Sequence, residues 1–207
     1  MIKNTIKIAL VGQPNVGKSM LINSISNARL KVGNFSGVTV SKEQVFFDYK
    51  NFHIEIVDLP GAYSLNDYTI EEKVTKDFLN NEKYDIILNV LDSTNLQRNL
   101  LLTAELLTLD KKMIIALNMS DEAEKESILI DEIQLSKILG KPCIKTSAAK
   151  KNGITKLLDE ILLKFQSQKV PSKFFFSNVI EEEIENISRV LEENKYETTE
   201  TYRQISL

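Results

Sequence analysis

The chain has 207 residues, 43% hydrophobic and 27% charged, which allows one well-buried domain with a modest appendage. A net charge of -3 lacks the basic footprint of a nucleic-acid-binding body, so no nucleic acid is expected as a partner. A single cysteine excludes an internal disulfide, no apolar run nears the ~18 residues that span a bilayer, and the opening "MIKNTIKIALVG" is unlike a signal peptide, which together read as a cytosolic chain.

In chain order, "IKIALV" (6–11) is a predicted strand that runs into "GQPNVGKSMLINSI" (12–25), with a helix predicted from Lys18 to Ser26. The loop "KVGNFSGVTVSKEQ" follows, then two extended runs in "EQVFFDYKNFHIEIVD" (43–58) that meet at Lys50-Asn51, an antiparallel hairpin expected at one sheet edge. Helical spacing over Ile70 to Leu79, Gln97 to Leu107, Asp131 to Leu139 and Ile154 to Phe165 alternates with strand-like "DIILNVL" (85–91), "MIIALN" (113–118) and "CIKT" (143–146). This alternation predicts an α/β fold with a mixed, mostly parallel six-stranded sheet and helices on both faces. After Gln166 comes a Ser/Pro/Lys linker, "SQKVPSKFFFSN". A helix with an apolar stripe at Val179, Ile180, Ile184, Ile187 and Leu191 follows, and "ETTETYRQISL" reads as the opening of another. The expected division is 1–168 and 169–207, the second part being the start of a helical domain cut before its end.

The chemistry begins at Gly12-x4-Gly17-Lys18-Ser19. Two of only seven glycines fall within six residues at a strand-to-helix turn, where backbone N–H groups can surround phosphates, a lysine can meet the outer ones and a hydroxyl can bind magnesium. In "VDLPG", Asp58 can hold a magnesium shell and the Gly61 N–H can sense a terminal phosphate. In "ALNMSD", Asn118 and Asp121 follow a strand, and a carboxylate accepting from N1 and N2 selects guanine over adenine. In "TSAAK" (146–150), a main-chain N–H near Ala148 can donate to guanine O6. All four lie at C-terminal ends of predicted strands, the edge where open α/β sheets bind ligands. Thr39 can reach magnesium only with a terminal phosphate present, which makes its loop a candidate first switch and "GAYSLNDYTIEEK" the second.

Other residues are discounted. His53 reads as a partly exposed structural residue of an edge strand, Cys143 as buried and inert, "EEEIE" (181–185) as a solvated helix face, and Arg29 and Arg98 as surface residues. Met119 can stack on a base or merely pack, and both readings stay open. Ala62 follows Gly61 where many nucleotide switches carry a water-positioning glutamine, so orientation of water falls to switch backbone or to Glu71 or Glu72, which solvated first-turn helix positions explain equally well.

With "GQPNVGKS", "VGNFSGVTV", "DLPGAYSL", "EEKVTKDFL", "NVLDSTNLQRNL", "ALNMSD" and "TSAAKKNGI" in order, the chain resembles the FeoB family of bacterial ferrous iron transporters, over most of residues 5 to 165. The resemblance implies a Ras-like P-loop GTPase fold whose 169–207 segment begins a domain thought to stabilise bound GDP. It implies GTP/GDP contacts from Gly12, Asn15, Val16, Gly17, Lys18, Ser19, Met20, Asn118, Met119, Asp121, Ser147 and Ala148. Magnesium contacts are implied from Ser19 and Thr39 with Asp58 in the outer shell, and catalytic roles for Asn15, Lys18, Thr39 and Gly61. Potassium held by Asn15 with main-chain carbonyls of Gly33 and Phe35 is also implied, Asn15 as a plain turn residue being the alternative. The implied activity is slow, potassium-stimulated GTP hydrolysis that regulates iron(II) uptake through a membrane domain of the same polypeptide, on the cytoplasmic side of the inner membrane. A homo-oligomer is left open. Three departures stand out: Met119 replaces the usual lysine of N-K-x-D, Phe35-Ser36 replaces tryptophan-proline, and Ala62 replaces glutamine. The competing readings are a soluble ribosome-associated GTPase, which would usually carry a basic module, and an ATP-using P-loop kinase, which would not need "NMSD" or "TSA" at these strand ends.

Overall fold

Strand β1 (Asn4–Gly12) is buried on both faces from Ile8 to its end, and each of its edges is paired in parallel with a neighbouring strand, as a central strand between two helical layers requires. In the computed structural model of the protein, which describes residues 4–25, 29–35, 38–66, 68–167, 175, 177–197 and 202–206, it is followed by α1 (Lys18–Ser24), β2 (Arg29–Asn34), β3 (Ser41–Tyr49), β4 (Phe52–Asp58) and α2 (Ile70–Asn81). Next come β5 (Ile86–Asp92), a short 3-10 turn Ser93–Asn95, α3 (Leu96–Leu107), β6 (Met113–Asn118), α4 (Ser120–Lys125) and α5 (Glu132–Leu139). The chain continues through β7 (Cys143–Lys145), α6 (Ile154–Gln166), α7 (Asn178–Glu193) and α8 (Tyr202–Ile205).

The strands form one sheet in the order β2-β3-β4-β1-β5-β6-β7, parallel from β4 through β7 and antiparallel at β2/β3 and β3/β4. The period-2 pleat sends Ile6, Ile8 and Leu10 to one side, where they pack with Leu21 and Ile22 of α1 and Leu157 and Ile161 of α6. Ala9 and Val11 face the other side, against Phe78 and Leu79 of α2 and Leu102 and Leu106 of α3. Burying each such Leu or Ile contributes about 1.5–3 kcal/mol.

The sheet has seven strands where six were expected, and β2 is the addition. Its segment "RLKVGN" carries two apolar residues, and Lys31, Val32, Gly33 and Asn34 are all exposed. An edge strand needs no buried face, so it exists through its ladder with β3 and leaves little hydrophobic signal. The β3–β4 hairpin, expected at the edge, is therefore interior, and so is His53 of β4. His53 Nδ1 is 2.9 Å from Asp48 Oδ1, its ring stacks on Phe46, and it remains partly exposed. Helix α4 was also unforeseen, being too short for an apolar stripe. Cys143 is buried, and burial pushes its thiol up to about 11.

Of the apolar stripe on α7 only Ile184 is buried, while Val179, Ile180 and Ile187 are exposed. Arg203 of α8 forks onto Glu181 at 2.5 and 2.7 Å. Most of the linker 167–178, the 168/169 boundary, Ser26, Ser36 and the 198–201 part of "ETTETYRQISL" lie outside the described residues.

Candidate nucleotide-binding site

The phosphate loop joins β1 to α1. Asn15 has φ 66, a left-handed conformation that asparagine tolerates, and Gly17 has φ 86. A Cβ on Gly17 would also come within 2.5 Å of Asn118 Nδ2, so both backbone and space require glycine there. Gly17 caps α1 without a side-chain acceptor, which leaves first-turn N–H groups for an outside acceptor. Asn15, Ser19 and Met20 are exposed beside this turn, whereas the Val16 side chain is buried in the core beneath it.

Behind the loop, Lys18 Nζ donates to the Gly12 carbonyl at 3.3 Å. Burial lowers the Lys18 pKa, partly countered by Asp58. Burial raises Asp58 to about 6, with Lys18 pulling it down and Glu43, its cross-strand partner, pushing it up. Asp58 Oδ1 is buried with no hydrogen-bond partner among the described residues. A buried carboxylate oxygen left orphaned beside a phosphate loop fits the outer shell of a hard divalent cation, and the exposed Ser19 hydroxyl supplies an inner ligand of the right type.

Asn118 clasps two loops together at the base end. Its Nδ2 donates to Val16 O at 2.9 Å, and its Oδ1 accepts from Ala148 N at 3.1 Å and from Thr146 Oγ1 at 3.4 Å. The Ala148 N–H expected on guanine O6 is thus engaged by Asn118 in this structure. Ser147, 1% exposed, accepts from Lys150 N at 3.2 Å. Asp121, in the first turn of α4, lies 3.4 Å from Lys150 Nζ, and the Ser147 hydroxyl followed by Lys150 holds its carboxyl below the usual range. Met119 caps α4 at φ 57, with its methyl group beside Gly17.

The switch residues are placed by neighbours. Phe35 packs edge-on against Phe78 of α2 at 6.1 Å, and Lys42 Nζ lies over both rings. Phe35 N donates to Val40 O and its carbonyl accepts from Val38 N, leaving Thr39 exposed on the turn. Gly33 belongs to the β2–β3 ladder. Gly61 lies against Pro14, whose backbone would be 3.0 Å from an added Cβ, and Ala62 N donates to Gly12 O at 3.4 Å. The Ala62 side chain is 1% exposed, so it faces the interior.

Glu71 is exposed, but Glu72 is 5% exposed and accepts from Ser64 N at 3.2 Å and Ser64 Oγ at 3.3 Å. The solvated-helix reading therefore holds for Glu71 and is corrected for Glu72. Arg98 is exposed as expected, yet its guanidinium lies 4.6 Å from the Tyr63 ring centroid. The motifs also gave no notice of Gln13, whose buried side chain donates to Arg98 O at 2.8 Å, or of Glu105, which accepts from Leu65 N at 2.6 Å.

A sheet parallel through β4–β7, with a phosphate loop after β1 and polar loops at the C-terminal ends of β4, β6 and β7, defines a P-loop G-domain fold. The family model described as ferrous iron transport protein B matches residues 6–161, and the chain belongs to that family, FeoB. It is 58% identical over 180 residues to the Fe(2+) transporter FeoB of Helicobacter pylori, covering 82% of this chain and 28% of that protein. The cytosolic domain of the T. maritima FeoB iron transporter in a GDP form superposes with a TM-score of 0.90 at 34% identity, covering 98% of this chain and 80% of that one. The same domain in a GMPPNP form gives 0.87 at 34% identity, covering 97% and 79%. The ribosome-associated and kinase readings fall with this membership. The chain spans less than a third of the length of the curated relatives it matches. No described helix is long and apolar enough to cross a membrane.

Proposed function

We propose that the chain is a guanine-nucleotide switch that hydrolyses GTP slowly and thereby regulates ferrous iron passage through a membrane domain of the same polypeptide. The observation that carries the reading is the Asn118 clasp, which ties the phosphate loop to the 146–148 loop with Asp121 one turn away. In this reading Asp121 accepts from guanine N1 and N2, Ser147 and Ala148 flank the base, and Met119 covers it. The N–H groups of residues 12–20 and the Lys18 ammonium hold the phosphates. Hydrolysis adds water to the γ-phosphorus and breaks its bond to the β–γ bridging oxygen, giving GDP and phosphate, with Gly61 N–H and Lys18 stabilising charge. Magnesium, when bound, neutralises phosphate charge; Ser19 and Thr39 would hold it, with Asp58 in its outer shell.

Asn15 is exposed at the loop tip, and its amide oxygen suits a monovalent cation shared with the Gly33 and Phe35 carbonyls. Potassium there would supply the positive charge that an arginine supplies elsewhere. Residues 169–207 are read as the beginning of a helical domain that stabilises bound GDP.

Calorimetry with GDP and ADP, and GTP turnover in potassium against sodium at matched ionic strength, test this. GDP should bind much more tightly than ADP, potassium should accelerate turnover, and Asn15→Ala should remove that difference with GDP binding kept. Equal GDP and ADP binding would sink the guanine reading, and equal wild-type rates in the two salts would sink the potassium site alone.

A further inference from the structure

Residues 61–66, between β4 and α2, contain no helix or strand, so their shape depends on what neighbouring elements hold. Three of their N–H groups are tied in succession: Ala62 to Gly12 O, Ser64 to Glu72 and Leu65 to Glu105. The shortest of these bonds, 2.6 Å, comes from Glu105 of α3. Arg98 and Glu105 stand seven residues apart, two turns along one face of α3, and both meet this segment, at Tyr63 and Leu65.

Helix α3 is itself a fixed support. Gln13 of the phosphate loop donates to Arg98 O, Asn89 Nδ2 of β5 donates to Thr103 Oγ1 at 2.8 Å, and Asp92 N donates to Asn99 Oδ1 at 3.3 Å. Segment 61–66 is thereby referenced to the phosphate loop through α3 as well as through Ala62. Core packing gives no reason for a carboxylate at 105. Burial raises its pKa, the Leu65 N–H bond works against that rise, and from α2 Glu72 raises it further while Lys76 lowers it. A carboxylate kept in partial burial beside another one is explained by the backbone N–H it receives.

We propose that Glu105 is a positioning residue for GTP hydrolysis, holding the Leu65 N–H so that the backbone of Gly61–Tyr63 is presented to the terminal phosphate. This rests on the GTPase reading above and deepens it. The Ala62 side chain is buried and apolar and cannot orient the attacking water; in this proposal the switch backbone does so, its place set by its ties to α2 and α3.

The test uses the 207-residue chain with Glu105→Ala and Glu105→Gln, the amide keeping an acceptor oxygen at the same reach. Glu105→Ala should lower kcat about ten-fold with the GDP dissociation constant within about two-fold of wild type, and Glu105→Gln should restore most of the rate. Amide exchange of nucleotide-free protein, which needs no turnover, should rise at residues 63–66 in the alanine variant, stay unchanged at 12–19, and be restored by glutamine. The proposal is overturned by unchanged exchange at 63–66, by an alanine variant with wild-type or faster turnover, by kcat falling only in step with GDP affinity, or by glutamine behaving like alanine. A wild-type chain that binds GDP but never turns over GTP would overturn both this role and the GTPase reading. Normal wild-type turnover with unaffected variants would overturn this role alone.

Discussion

The base end and the switch end of the site are built differently. At the base end one side chain, Asn118, reaches both the phosphate loop and the 146–148 loop, on strands buried on both faces. At the switch end residues 61–66 are fixed by polar ties from α2 and α3, Phe35 rests on Phe78 through one aromatic edge, and Asp58 keeps an unpartnered oxygen. On the proposed reading, the base end is organised around one side chain tied to both loops, while the groups proposed to face the terminal phosphate are placed by separate ties from α2 and α3. A nucleotide switch needs that asymmetry, because base affinity has to persist while the phosphate-sensing segments change.

Breaking the base end should give the largest effect. Asn118→Ala leaves the Val16 carbonyl and the Ala148 N–H without their partner, costing about 3 kcal/mol or more. That corresponds to a loss of roughly 100-fold in GDP affinity together with a lowered Tm. Calorimetry and thermal unfolding check it, and a variant that binds GDP normally would mean the clasp is dispensable.

Asp121→Asn should act on the base alone. The exchange turns an acceptor oxygen into a donor, so GDP affinity should fall by about 1–3 kcal/mol while xanthosine diphosphate binding improves, with Tm close to wild type. Competition binding with the two diphosphates measures this. Parallel loss of both would place Asp121 outside base selection.

Phe35→Ala should loosen the switch end without touching the base end. An edge-on aromatic pair contributes about 0.5–1.5 kcal/mol beyond its buried area, so local opening of the first switch should rise about 3- to 10-fold. Amide exchange should increase at residues 38–42 and stay at the wild-type level over 146–149. Equal changes in both segments would show that the two ends do not behave separately.

The smallest expected signal is chemical. Cys143 on β7, under the 146–148 loop, has its thiol pushed by burial from near 9 to about 11. At pH 8 about one thiol in a thousand is ionised, so alkylation of the native protein should be far slower than that of the unfolded chain. Because the folded pKa is the higher one, the stability tied to this group is full below about pH 9 and declines as pH rises through about 11. Alkylation as fast in the native protein as in urea would mean that the base end opens readily.

The sequence by itself determined the elements whose physics is local. Strands buried on both faces must be continuous apolar runs, which is why "IKIALV", "DIILNVL" and "MIIALN" could be read directly. Gly17 had to be glycine for its own φ, and the spacing to Lys18 and Ser19 belongs to a single turn. What only the tertiary structure decided involves partners far apart in the chain or surfaces with no buried side. Edge strand β2 exists through its ladder with β3. Glu72 has the sequence position of a solvated first-turn helix residue, but Ser64, eight residues earlier, folds over it and donates to its carboxylate. Gln13 meets Arg98 across 85 residues and Glu105 meets Leu65 across 40, so no local spacing records either contact. Periodicity shows which face of an element is buried, but a polar tie between two elements depends on where the fold sets them side by side.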